Sequence, residues 1–341
     1  MKVASKSLNA KRPAPRLSRG AGLAVLSGIA LSGCSLLSSA SPFAGAAPLA
    51  TPTVPVVAPQ LPEPNWTPVT RSAAGVLSDH RVVATEGFSI TVTRFRAKET
   101  TLNLHVGSED PVTRPGQTPA NATNSVNALE RPVLVGAFNG GFKHPADLGG
   151  FLVNGVTIHP LVAGMASIVL YMDGTVGIGK WGSTVPDPAK QVRSVRQNLP
   201  YLLVDHSAVT ATASNNSVWG ATIGASPLVA RSGVGVDAKG SVIVANSMHA
   251  SPRAIATALQ VAGSVTGLET DINPYWVTLG ATATPGGALI AQVPGEWHAP
   301  TIFQTGWTRD FFVVVARNQV TCAPSFGIGS SVNVLHQRCT A

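Results

Sequence analysis

The stretch VGAFNGGFKHPADLGGFLVNG, residues 135–155, carries six glycines. It continues an apolar run, PVLVGAF (132–138), that reads as a buried strand entering Asn139-Gly140-Gly141-Phe142. Glycines at such a point let backbone N–H groups approach a ligand with no Cβ in the way. Asn139 beside them offers a donor and an acceptor on one short side chain. A bulge or hairpin bend is the plainer reading of the same residues. The rest of the chain has to decide between them.

Working outward, short apolar or alternating runs recur: FSITVTRF (88–95), TTLNLHV (100–106), GFLVNGVTI (150–158), ASIVLYM (166–172), GSVIVAN (240–246) and DFFVVVA (310–316). Asp173-Gly174 and Lys239-Gly240 punctuate them as turns. One segment reads as a helix. Ser251 is a good N-cap, Pro252 suits the first helical position, and Ala254, Ile255, Ala258, Leu259 and Ala262 recur at helical spacing before Gly263. The pattern predicts an α+β fold: one large domain, residues 71–341, dominated by mixed or antiparallel sheet with few helices.

The N-terminal end reads differently. Lys2, Lys6, Lys11, Arg12, Arg16 and Arg19 precede the apolar run GAGLAVLSGIALSG, which ends at Cys34. A basic region, a short apolar region and small residues predict a secretory signal over residues 1–33, too short to span a bilayer comfortably. Residues 34–70, rich in Pro, Ala, Ser and Thr, read as a semi-extended tether. Taking the six signal cations from the 24 in the chain leaves 18 against 16 acids, a balance of +2. The basic excess belongs mostly to the signal, so no nucleic-acid partner is expected. Export also suits Cys322 and Cys339, the pair left after Cys34, as a disulfide closing a C-terminal loop.

Two further places offer chemistry. Arg231 leads the hairpin RSGVGVDAKGSVIVA (231–245), and an arginine either holds a phosphate bidentately or partners an acid. That hairpin's second strand runs on to His249, just before the helix. In LETDINPYW (268–276), Glu269 and Asp271 are two apart on an expected strand, which puts them on one face. Such a pair suits glycoside hydrolysis, one carboxyl as acid and one as base or nucleophile. A solvated strand end, with Asn273-Pro274 as its turn, fits the stretch equally well. A calcium site from Glu269, Asp271 and Asp310 is a third option, since Ca²⁺ takes oxygen ligands. The sequence requires no cofactor and shows no metal motif.

Two resemblances sharpen the expectation. Leu31-Ser32-Gly33-Cys34 resembles the lipobox of bacterial lipoproteins, which implies acylation of Cys34 and an extracytoplasmic, membrane-anchored protein. Residues 85–315 resemble the phosphodiester glycosidase family. The likeness lies in the order of NGGF (139–142), GGFLVNG (149–155), RQNLPYLLVDH (196–206), the Arg231-led strand pair, a helix, and a strand ending in Asp271. The chain differs from the family at Lys143, at Asn246-Ser247, and in the residues Ile-Asn-Pro-Tyr-Trp after Asp271. The resemblance implies a hydrolase of a sugar phosphodiester or related cell-envelope glycan. Asn139, Gly140 and Gly141 would orient substrate, Arg231 would hold phosphate, and Asp271 with Glu269 or His249 would supply acid–base chemistry. The alternative is a non-catalytic lipoprotein that binds envelope polysaccharide, with Tyr275 and Trp276 as a stacking platform.

Overall fold

The computed structural model describes residues 66–111, 123–143, 149–198, 201–208, 218–317, 322–325 and 336–339. The chain first lays down β1 (Thr67–Ser72), β2 (Gly75–Thr85), β3 (Phe88–Phe95), β4 (Thr100–His105) and β5 (Leu134–Asn139). Then come β6 (Phe151–Val153), β7 (Val156–His159), β8 (Ala166–Tyr171), β9 (Val176–Lys180) and β10 (Val192–Asn198). β11 (Tyr201–Val204) and β12 (Ser207–Ala208) precede the long strands β13 (Val229–Asp237) and β14 (Val242–Ala250), helix α1 (Pro252–Val261) and β15 (Ser264–Ile272). The last elements are β16 (Leu279–Ala281), β17 (Ile290–Ala291), the short helix α2 (Ile302–Thr305), β18 (Phe311–Ala316), and the hairpin β19 (Cys322–Ser325) and β20 (His336–Cys339).

Three sheets carry the fold. An eight-stranded sheet runs β1-β2-β3-β14-β13-β15-β11-β12, and two five-stranded sheets run β7-β6-β10-β8-β9 and β17-β16-β5-β18-β4. The strand pairs within them are antiparallel, so the expected mixed character resolves to antiparallel. With two α-helices among the described residues the fold is sheet-dominated, and the α+β label fits it only loosely.

The large sheet is covered on both faces. On one face Phe95, Val242, Val244, Val234 and Leu268 meet Phe138 and Phe312 of one small sheet and Phe151 and Ile168 of the other. On the opposite face Ile90, Val92, Ile243 and Ala245 pack under Ala254, Ile255, Ala258 and Leu259 of α1. Gly233 permits that docking: a Cβ there would lie 2.8 Å from both Ile255 Cγ2 and Leu202 Cδ1. Burial on both faces explains why β18 reads as an unbroken apolar run rather than an alternating one.

The helix forms where its caps place it. Ser251 Oγ accepts the Ala254 N–H at 3.0 Å, and Gly263, with φ 94°, ends it. Two expectations need correction. The run at 150–158 is a hairpin, because Asn154 (φ 47°) and Gly155 (φ 79°) form a two-residue turn between β6 and β7. The sheet also begins inside the expected tether, at Thr67. β1 is an edge strand with Thr70 alone buried, so it lacks the apolar alternation that marks a strand. Trp66 packs there under the Arg94 guanidinium, 4.2 Å from its ring.

The expected signal, Cys34 and nearly all of the tether lie outside the described residues. No helix among the described residues is long and apolar enough to cross a membrane. In the C-terminal hairpin the backbone register sets Cys322 opposite Cys339.

Ser251→Ala is expected to cost about 1 kcal/mol of stability, the usual worth of a serine N-cap. Urea unfolding of both proteins measures it.

Candidate active site

The site begins with a break in strand regularity. In the β13–β15 pair, Arg231 faces Ile272 and Gly233 faces Glu269, so Ser232 stands opposite both Thr270 and Asp271. Two residues against one is a β-bulge, and it cancels the alternation on which a shared face depends. The expectation that Glu269 and Asp271 act as a same-face pair therefore fails. Glu269 Oε1 binds Arg231 Nη1 at 2.6 Å. Asp271 Oδ2 instead meets Arg309 Nη2 at 2.7 Å, and its Oδ1 accepts the Ile272 N–H at 2.9 Å.

Arg309 is the hub. It precedes β18, and its Nε lies 2.9 Å from Asp110 Oδ2, beyond β4, an ion pair whose N–H is not aligned for a hydrogen bond. Its Nη2 also donates to Gly141 O at 3.2 Å, and its guanidinium lies 4.6 Å from the Trp276 ring. The next residue, Asp310, turns to a second arginine: Arg196 Nε on β10 donates to Asp310 Oδ2 at 2.9 Å. Arg196 also donates to Phe142 O. The glycine pair makes this arrangement possible. A Cβ on Gly140 would lie 2.1 Å from Asp310 Oδ2, and one on Gly141 would lie 2.7 Å from Arg196 Cζ. Their amides are already taken, Gly140 N–H by Asp310 O and Gly141 N–H by Asp310 Oδ2, both at 3.0 Å. The glycines thus admit the protein's own charges.

Three buried carboxyls, Asp110, Asp271 and Asp310, face two buried guanidiniums, Arg196 and Arg309. Among these buried charges one carboxyl is in surplus, with the exposed Lys143 a further cation acting on Asp110, and the cheapest remedy in a low-dielectric setting is to keep a proton. Burial pushes Asp271 up to about 7 against the pull of Arg309, with Asp310 pushing the same way as burial. Asp110 is raised too, by burial first, again opposed by Arg309. Behind them burial pushes Glu269 up to about 8, with Arg231 opposing.

A polar row floors the same region. Thr91, Asn246 and Ser232 lie opposite one another across β3, β14 and β13. Ser232 Oγ donates to Asp271 O at 2.5 Å and accepts from Asn139 Nδ2 at 2.9 Å and Thr270 Oγ1 at 2.7 Å. Among the described residues, both amide atoms of the buried Asn246 and the hydroxyl of Thr278 have no hydrogen-bond partner.

The expected site residues therefore divide. Asn139, Gly140, Gly141, Asp271 and Trp276 come together around Arg309. Arg231 does not: it is fully buried and bonded to Glu269, Trp219 O and Pro227 O, which leaves no fork for a phosphate. His249 is exposed, with its ring 5.9 Å from Phe88 on the sheet's flank. The calcium option fails on charge, because Glu269, Asp271 and Asp310 each already face an arginine. Sequence reasoning missed Arg309, Asp110 and the role of Arg196. The one available signal was Arg309-Asp310, an ion pair's worth of charge at the mouth of an apolar strand.

No protein-family model and no curated protein matches the chain. Several solved structures are similar at low identity. One is the zebrafish N-acetylglucosamine-1-phosphodiester alpha-N-acetylglucosaminidase catalytic domain auto-inhibited by its pro-peptide: 15% identity, TM-score 0.46, covering 74% of this chain and 88% of that one. A hypothetical protein from Synechocystis shows 14% identity and TM-score 0.40, over 70% of this chain and 62% of that. A putative exported protein from Burkholderia pseudomallei shows 10% and 0.43, over 71% and 75%. At that distance the chemistry of the site rests on this chain's own residues.

The raised Asp271 has a consequence for stability. The folded state holds the proton to about pH 7, whereas the unfolded chain releases it near 3.8. Between those values the unfolded state binds fewer protons, so this group's contribution to stability falls as pH rises. Asp271→Asn lacks that titration. Its stability relative to the wild type is expected to improve by on the order of a few kcal/mol from pH 4 to pH 8. Urea unfolding at both pH values measures the change; parallel pH profiles would contradict the assignment.

Proposed function

We propose that the chain is a membrane-anchored, extracytoplasmic hydrolase that cleaves a sugar phosphodiester or a related cell-envelope glycan. One observation carries this reading: two buried carboxyls, Asp271 and Asp110, sit on one guanidinium, Arg309, and burial raises Asp271 toward neutrality. Glycosidic cleavage needs one group to give a proton and another to take one, with pKa values near the working pH. Water attacks the anomeric carbon and passes its proton to Asp110, which this step requires in its carboxylate form. The carbon–oxygen bond breaks, its electron pair leaves on the phosphate oxygen, and that oxygen takes the Asp271 proton. The Arg309 guanidinium offsets the charge on the departing phosphate. It assumes the part foreseen for Arg231. The unpartnered Asn246 amide suits an uncharged, hydroxyl-bearing portion of the substrate. The signal-like N-terminus and Leu31-Ser32-Gly33-Cys34 support anchoring through a lipid on Cys34.

A second reading, a polysaccharide-binding lipoprotein without turnover, is favoured by the 4% exposure of both Asp271 and Arg309. Groups so enclosed give a scissile bond little room.

The test incubates the full chain with a panel of sugar phosphodiesters and isolated envelope glycans, following released sugar by mass spectrometry. Release is expected from the wild type, lowered by about 10²–10⁴-fold in Asp271→Asn, the usual worth of a general acid. Glycan binding without release in either protein would overturn the hydrolase reading in favour of the second.

A further inference from the structure

Two large rings stand in water beside each other. Trp297 is 61% exposed and Tyr275 is 41% exposed, with centroids 4.7 Å apart in an edge-to-face arrangement. Neither sits on a loose segment. Tyr275 lies in the tight turn after β15, where Asn273, at φ 74°, accepts the Trp276 N–H at 3.1 Å. The Asn273 side chain accepts the Ile223 N–H at 3.0 Å and donates to Ala221 O at 3.2 Å, which pins the turn on its outer side. Trp297 follows Gly295 (φ 76°) and Glu296. Glu296 Oε2 accepts the Leu279 N–H at the start of β16 at 3.0 Å, so the turn that bears Trp297 is tied to the sheet. Glu296 Oε1 is buried and has no partner among the described residues, so this carboxyl anchors the turn from within. Rigid display of adjacent aromatics on a surface is what an interaction site needs and what a folded monomer otherwise avoids.

The rings also lead somewhere. Tyr275 lies 6.4 Å from Trp276, and Trp276 lies 4.6 Å from the Arg309 guanidinium. An aromatic path thus runs from solvent to the arginine that Asp110 and Asp271 share.

We propose that Trp297 and Tyr275 form a second sugar subsite, distal to Asp271, that takes one pyranose ring of a glycan chain. The C–H face of a pyranose is flat and apolar and stacks on an aromatic ring. No cation belongs to the pair, so a phosphate or a carboxylate ligand has nothing to bind there. The subsite rests on the reading of the Asp271 region as a sugar site. It narrows the substrate to a chain of two or more sugars, with the outer ring on Trp297 and the inner one toward Arg309. Aromatic side chains also settle at membrane interfaces, so the experiment separates a glycan from a lipid surface.

Calorimetry on the full chain in detergent compares tetrasaccharides built from glucose and from N-acetylglucosamine with their monosaccharides. The wild type is expected to bind at least one tetrasaccharide about tenfold or more tighter than its monosaccharide. Trp297→Ala is expected to lose most of that length preference and Trp297→Phe to keep part of it. Val82→Thr, at an equally exposed apolar position on β2, should leave it unchanged. Equal length preference in Trp297→Ala and wild type would overturn the subsite, as would absence of binding to every tetrasaccharide. Quenching of Trp297 fluorescence by vesicles of equal parts phosphatidylethanolamine and phosphatidylglycerol, without a glycan effect, would assign the rings to the membrane instead. Sugar release that depends on Asp271 is read separately, so failure of the subsite and failure of the hydrolase reading give different results.

Discussion

Arg309 holds two buried acids remote from each other in sequence, Asp110 and Asp271, and the site follows from that constraint. Asp271 closes β15 of the large sheet, Arg309 and Asp310 open β18 of one small sheet, and Arg196 comes from β10 of the other. The acid–arginine chain therefore ties all three sheets at one point. Polar ties reinforce it: Asp271 N–H donates to Gly140 O at 3.0 Å, and Asn198 Nδ2 donates to Glu269 O at 2.8 Å. A buried pair of this kind adds little net stability, but loss of one partner strands a charge in the interior. The arrangement thus specifies where the strand ends sit more than it stabilises them.

The same constraint accounts for the glycines. Gly140 and Gly141 are needed because Asp310 and Arg196 occupy the space a Cβ would fill. At these two glycines charge approaches the backbone, and their amides serve the protein rather than a ligand. Glu269 and Arg231 form a second, fully buried pair behind the first, and together with Trp219 O and Pro227 O they close that side of the site.

Much of the fold was legible in the residues. The run at 88–95 is β3 itself, the runs at 100–106, 166–172 and 310–316 match β4, β8 and β18 to within a residue, and Ser251, Pro252 and Gly263 mark the helix because caps act locally. β1 was not legible, since an edge strand with one buried residue carries no periodic signal. Asp271 was placed correctly at a strand end, but its partner was not. Pairing Asp271 with Glu269 assumed regular pleating, and the bulge opposite Ser232 removed it. Arg309 was missed for a related reason: its neighbours in space, Asp110, Asp271 and Gly141, are remote from it in sequence, and no local pattern brings them together. Arg231 was read as a ligand group when burial had already committed it to an acid.

The central claim is that the surplus carboxyl of this group carries a proton near neutrality and that the carboxyl is Asp271. The most direct measurement is a carbon-13 NMR titration of the full chain labelled at aspartate carboxyl carbons, repeated on Asp271→Asn. One resonance titrating near pH 7 and missing from the variant is the predicted result. A spectrum in which every aspartate has ionised by pH 5, identical in both proteins apart from one lost acidic signal, would contradict it.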